Sequence, residues 1–60
     1  MELFIGDKIK WTIGRSLCRG IVRDTNEDFI EVVCYEINNQ PTKKKIQLDL
    51  NNIKIELDED

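Results

Sequence analysis

Lys8-Ile9-Lys10-Trp11-Thr12-Ile13-Gly14-Arg15-Ser16-Leu17-Cys18-Arg19-Gly20-Ile21-Val22 is the stretch that decides the fold. Ile9, Trp11 and Ile13 alternate with Lys8, Lys10 and Thr12, the period of a strand with one face buried. Gly14 stands first in the two-residue interruption Gly14-Arg15, which suits a type II′ hairpin turn because glycine adopts positive φ without steric cost. A second strand then runs from Leu17 to Arg23. The polar stretch Asp24-Thr25-Asn26-Glu27-Asp28 is rich in turn formers, and Phe29 to Ile37 is dense in β-branched and aromatic residues. Asn38-Asn39-Gln40-Pro41-Thr42 breaks that third strand. Lys43 to Leu50 and Asn52 to Leu57 complete the set, with a tight corner at Asn51-Asn52. Five strands fill the chain and leave no segment for a helix, so the fold class is all-β, a single small five-stranded barrel over residues 1–57 followed by an acidic C-terminal tail, 58–60.

Register follows from asking which pairing sets apolar residues opposite one another, since a one-residue slip moves every side chain to the other face. Folding strand two on strand three around Asn26 pairs Val22 with Ile30, Gly20 with Val32 and Cys18 with Cys34. Folding strand three on strand four around Gln40 pairs Cys34 with Ile46, Val32 with Leu48 and Ile30 with Leu50. The II′ turn adds Trp11 beside Cys18 and Ile9 beside Gly20, where a missing side chain permits close approach. Ile53, Ile55 and Leu57 close this inner face. Leu17, Ile21, Phe29, Val33 and Tyr35 then point outward with Arg19, Arg23 and Glu31. An outward apolar patch of that kind either meets a partner or is covered by Leu3, Phe4 and Ile5 folding back.

A chain of 60 residues hides only about 60% of the surface its unfolded form exposes. Hydrophobic residues at 40% and charged residues at 35% are a globular balance, which argues against a disordered tail or a membrane segment. The start of the chain lacks the basic and apolar regions of a signal peptide, so a cytoplasmic location is expected and the two cysteines are expected as thiols. Asp58, Glu59 and Asp60 account for the whole net charge of −3. The neutral barrel lacks the bulk positive field of a nonspecific nucleic-acid binder.

Catalysis has little to work with. No histidine is present to serve as base for Ser16, and an inward cysteine lacks the exposed, electropositive setting of a reactive thiol. A non-enzymatic protein is expected, with no catalytic residue, cofactor or metal; Cys18 and Cys34 would need carboxylates to complete a zinc site. They remain open between buried thiols and a cross-strand disulfide. Lys43, Lys44 and Lys45 with Arg15, and Tyr35 paired with Lys45 as a stacking platform, form the candidate nucleic-acid surface. Its structural counterpart is that Arg19 and Arg23 pair diagonally with Glu31 while the lysines protect a strand edge. Trp11 and Tyr35 form an aromatic cage only if a longer first turn shifts Trp11 outward; the II′ turn places it in the core.

Ile5-Gly6-Asp7-Lys8-Ile9-Lys10-Trp11 resembles the G-D-x-V-x-W opening of Tudor-like and KOW-like domains, and Cys18-Arg19-Gly20-Ile21-Val22 resembles their second strand. Gly20-Ile21-Val22 through Phe29-Ile30, with Ile46-Gln47-Leu48-Asp49-Leu50-Asn51-Asn52-Ile53, is similar more weakly to Sm-like barrels and the C-terminal barrels of ribosome-maturation factors. What the resemblance implies is architecture, an SH3-like small barrel. The chain has Asn26 where the Sm-like motif carries aspartate, and it has no N-terminal helix.

The function expected is binding. An adaptor or inhibitor would dock on a protein partner, a nucleic-acid-handling protein being one candidate, through Leu17, Arg19, Ile21, Arg23, Val33 and Tyr35. The alternative is direct RNA or DNA binding through Arg15, Tyr35, Lys43, Lys44 and Lys45. No membrane association is expected, and the chain is a monomer or weak homodimer.

Overall fold

The computed structural model describes residues 2–58. Its strands are β1 (Lys8–Ile13), β2 (Ser16–Thr25), β3 (Phe29–Ile37), β4 (Gln40–Asp49) and β5 (Ile55–Leu57). They form one antiparallel sheet in the order β4-β3-β2-β1-β5. No helix occurs among the described residues. The sheet is not closed: β4 and β5 are its two edges and do not pair with each other.

The sheet nevertheless wraps a single core. Ile9 and Trp11 from β1, Cys18 and Val22 from β2, Ile30, Val32 and Cys34 from β3, Leu48 from β4 and Ile55 from β5 form one buried cluster, with Leu3, Ile37, Ile46 and Ile53 packed against it. Edge strands contributing to the same cluster require a sheet curled around its own inner face. Trp11 is inside, which removes the aromatic cage, and its indole lies over Gly20. A Cβ on Gly20 would stand 2.7 Å from the Val33 carbonyl oxygen and 3.0 Å from the indole Cη2. Glycine is therefore required at this point by space and not by φ.

The first hairpin matches the expected register, with Ile9 opposite Gly20 and Trp11 opposite Cys18. Gly14 has φ of 61° while Arg15 is not in the positive region, as a II′ turn requires. The other two hairpins depart from expectation. Val22 pairs with Val32 and Gly20 with Cys34, while Val32 pairs with Ile46 and Ile30 with Leu48. Each is displaced by two residues from the pairing that the sequence suggested.

Tighter turns cause the displacement, and bulges limit it. The β2–β3 ladder runs on to Thr25 opposite Ile30, and the Asn26 amide donates to the Phe29 carbonyl at 2.9 Å. The β3–β4 reversal uses only Asn38-Asn39, both at positive φ (49° and 66°), the geometry of a type I′ turn. Either turn alone would slip the register by an odd number and invert the faces. Arg23 is the extra residue in β2, between Val22 opposite Val32 and Asp24 opposite Glu31; a second irregularity places Tyr35 of β3 against Thr42 and Lys43 of β4. These bulges restore an even slip, so the expected inner face survives at its centre, while Ile13, Leu50 and Leu57 at its ends are exposed.

Three local expectations are corrected. Cys18 lies opposite Ile37, not Cys34; both cysteines are free, buried thiols. β4 begins at Gln40 and passes through Pro41, which an edge strand tolerates because no inter-strand bond is needed on its open side. β5 is shorter than Asn52 to Leu57, because Asp49 folds the residues before it into a turn: its carboxylate accepts from the Asn51 amide at 2.9 Å and from the Asn52 side chain at 2.6 Å.

Candidate protein-docking surface

On the outer side of the sheet, cross-strand pairing aligns Lys8, Ile21, Val33 and Lys45 in one row from β1 to β4. Ile21 and Val33 are half-buried at its centre. Leu17, opposite Thr12 near the first turn, is half-buried on the same face. Arg23 is exposed on the β2 bulge. Apolar residues at the middle of a sheet face with lysines at both ends form a patch that is cationic at its borders.

The bulge at Tyr35 shapes the neighbouring row. Glu36, not Tyr35, pairs with Arg19, and Ile37 pairs with inward Cys18. Tyr35 and Glu36 therefore both face outward, and Ile37 reaches the core. The Arg19 Nε is 3.5 Å from Glu36 Oε2 and 3.9 Å from Asp58 Oδ2. That nitrogen is buried without a hydrogen-bond partner, so the carboxylates meet it as charges and not as hydrogen-bond acceptors. Tyr35 Oη donates to Asp58 Oδ2 at 3.4 Å. The Asp58 amide donates to the Lys8 carbonyl at 2.9 Å, continuing the β5–β1 ladder, and its side chain is only 8% exposed. The remainder of the acidic tail, Glu59 and Asp60, lies outside the described residues.

This arrangement corrects the expected ion pairs. Glu31 faces Asp24 and Gln47, and the carboxylates beside Arg19 are Glu36 and Asp58 instead. Glu36 was not legible as an outward residue, because strict alternation turns it inward. Asp58 was legible only as part of a charged tail.

The other expected surfaces are dispersed. Val33, not Tyr35, pairs with Lys45; Lys44 pairs with inward Cys34; Lys43 falls in the irregular stretch opposite Tyr35. All three lysines are exposed on edge strand β4, and Arg15 is exposed in the first turn. Among the described residues none of these four makes an ion pair. Leu3 joins the core while Phe4 and Ile5 are 62% and 67% exposed, so this segment does not cover the outer patch. A turn holds it elsewhere: the Asp7 amide donates to the Phe4 carbonyl at 3.0 Å, Gly6 has φ of 98°, and the Gly6 amide donates to the Val22 carbonyl at 2.8 Å.

Burial pushes the Cys18 thiol pKa above its ordinary value of 9.0, and the neighbouring Cys34 adds to the effect. The Cys34 Sγ donates to the Glu36 carbonyl at 3.5 Å. Neither thiol is poised as a nucleophile. Among the described residues no group of three or more histidine, cysteine or acidic side chains could hold a metal ion, and no helix is long and apolar enough to cross a membrane. Comparison with protein-family models, with curated proteins and with solved structures returns no match to this chain.

Proposed function

We propose that this chain is a non-enzymatic, cytoplasmic binding module of the SH3-like barrel type, an adaptor or inhibitor that docks on a protein partner through the outer face of β2 and β3. The strand order, a meander whose first and last strands pair, supports the SH3-like reading. The observation that carries the docking surface is the row Lys8–Ile21–Val33–Lys45, apolar at the centre and cationic at both ends. Ile21 and Val33 act as anchors with Leu17, and Arg19 and Arg23 form the rim beside Tyr35. Such a face suits an apolar patch bordered by carboxylates. Matched affinity capture tests it, with the wild-type chain and Val33→Asp as baits after each is shown to be folded by circular dichroism. Loss of a partner from the variant supports this placement. Equal retention moves the interface off β2 and β3.

The exposed, unpaired lysines of β4 favour a second reading, direct RNA or DNA binding through Lys43, Lys44 and Lys45 with Arg15 and Tyr35. It requires affinity for labelled single strands that falls steeply with salt, because phosphate contacts release counterions. Salt-insensitive or absent binding removes it.

A further inference from the structure

A second concavity lies away from the outer face. β4 and β5 are unpaired edges, and the chain between them leaves an open groove of about 540 Å³ at the end of the sheet where the β2–β3 turn lies. That volume falls in the range of about 300–1,000 Å³ typical of ligand sites. Its lining is apolar where it meets the core: Leu3, Ile30, Ile53 and Ile55 all belong to or pack on the buried cluster. Glu2, Glu27 and Lys54 also line it, and among the described residues none of the three makes an ion pair.

Two fixed lips bound the groove. One is the β2–β3 turn, closed by the bond from the Asn26 amide to the Phe29 carbonyl and tied to β4 by the Leu50 amide donating to the Asp28 carbonyl at 2.9 Å. The other is the Asp49 turn, where the Ile53 amide donates to the Asp49 carbonyl at 3.0 Å and brings Ile53 back to the core. A groove bounded by hydrogen-bonded turns loses little entropy when it is filled. Asp24 and Asp28 are exposed in the same turn region as Glu27, so the local charge is negative although the sheet as a whole is balanced. An aliphatic floor under a negative rim excludes acidic ligands and fits alkyl groups that carry a cation.

We propose that this groove takes an extended peptide segment of a protein partner in which an aliphatic side chain alternates with lysine or arginine. The aliphatic group sits on the accessible parts of Leu3, Leu50 and Ile53, over buried Ile30 and Ile55, and the cation meets Glu2 and Glu27 on the rim. The site is separate from the outer face of β2 and β3, and together the two give an adaptor two surfaces of opposite charge preference.

Amide chemical-shift mapping on the isotope-labelled chain tests the proposal, using a short blocked peptide that alternates leucine with lysine and its glutamate counterpart. Saturable shifts confined to Leu3, Thr25 to Glu27, Leu50 and Ile53 to Ile55 are expected with the lysine peptide alone. Glu27→Lys at its exposed position should weaken that binding about tenfold, and Lys54→Glu should strengthen it several-fold. The proposal is overturned if the lysine peptide shifts no groove amide up to millimolar concentration, if the glutamate peptide produces the same shifts, or if Glu27→Lys leaves the affinity unchanged. Shifts centred on Ile21 and Val33 with the glutamate peptide, and none in the groove with the lysine peptide, would overturn the groove while supporting the outer face, so the two readings fail separately.

Discussion

The inner and outer faces of β2 and β3 are made from the same two strands, yet they respond differently to an error in register. Cys18, Val22, Ile30, Val32 and Cys34 are all buried, as alternation alone suggests, although the strands pair two residues away from the expected positions. The outer face gains Glu36 and changes its partners: Tyr35 leaves Lys45, and Arg19 meets Glu36 and Asp58 in place of Glu31. An inner face needs only the right parity, because burial rewards any apolar neighbour. An outer face of charges and hydrogen bonds depends on which residue stands opposite which.

Substitutions should reproduce that contrast. Trp11→Ala empties the centre of the inner face and is expected to cost about 4 kcal/mol. That is comparable to the whole stability of a domain this size, roughly 3–9 kcal/mol at 0.05–0.15 kcal/mol per residue. Urea unfolding followed by circular dichroism should find the variant largely unfolded in buffer, and a native midpoint would show that the indole is not central. Gly20→Ala adds one methyl against the Val33 carbonyl and the indole; about 2–3 kcal/mol should be lost. A neutral result there would mean that β2 passes farther from Trp11 than described.

Asn38→Ala gives an intermediate effect. It loses the side-chain oxygen that accepts from the Leu17 amide at 2.9 Å and places alanine at φ of 49°. About 1–2 kcal/mol is expected, and the same urea titration reads it. Asn39→Gly at the neighbouring position should not destabilise, which separates turn geometry from side-chain bonding.

The Cys18 thiol predicts a pH dependence. Its folded-state pKa is raised, so the folded chain holds the proton more tightly than the unfolded one. The stability this contributes is fully present below the ordinary thiol value of 9.0 and is lost as pH rises through the folded pKa. Urea midpoints should therefore fall above that value, and less steeply in Cys18→Ala. Equal slopes in the two proteins would assign the alkaline loss to other groups. The smallest effect is expected outside: Tyr35→Phe removes one long hydrogen bond to Asp58, worth about 0.5 kcal/mol. A loss as large as that of Gly20→Ala would make the outer cluster part of what holds the fold.

Much of the fold was legible locally. Gly14 announced the first turn, and with it the β1–β2 register. Trp11 and Ile9 were placed by alternation with the lysines. Two things were not legible. Asn38-Asn39 carries turn chemistry, but read locally Pro41 extends the break; that β4 continues through it follows from an edge position, which no local pattern encodes. The bulges at Arg23 and Tyr35 carry no glycine or other signature, and they decide which residues meet outside. The groove was invisible for a related reason: Leu3, Glu27, Ile53 and Ile55 come from separate stretches brought together by the turns and by the β1–β5 pairing. The candidate docking residues could be assigned to the outer face from the sequence, but the placement of Asp58 among them could not.

The extra residue at Tyr35 also sets a rule for how this chain can change length. From Glu36 onward, β3 is in phase with β2 only because one position is skipped. Deleting Tyr35 alone would remove the bulge toward β2 and leave Cys34 and Ile37 inward and Glu36 outward. On the other side it would leave both Thr42 and Lys43 of β4 with no residue opposite. A change of length in β3 is therefore tolerated by β2 and must be matched by β4.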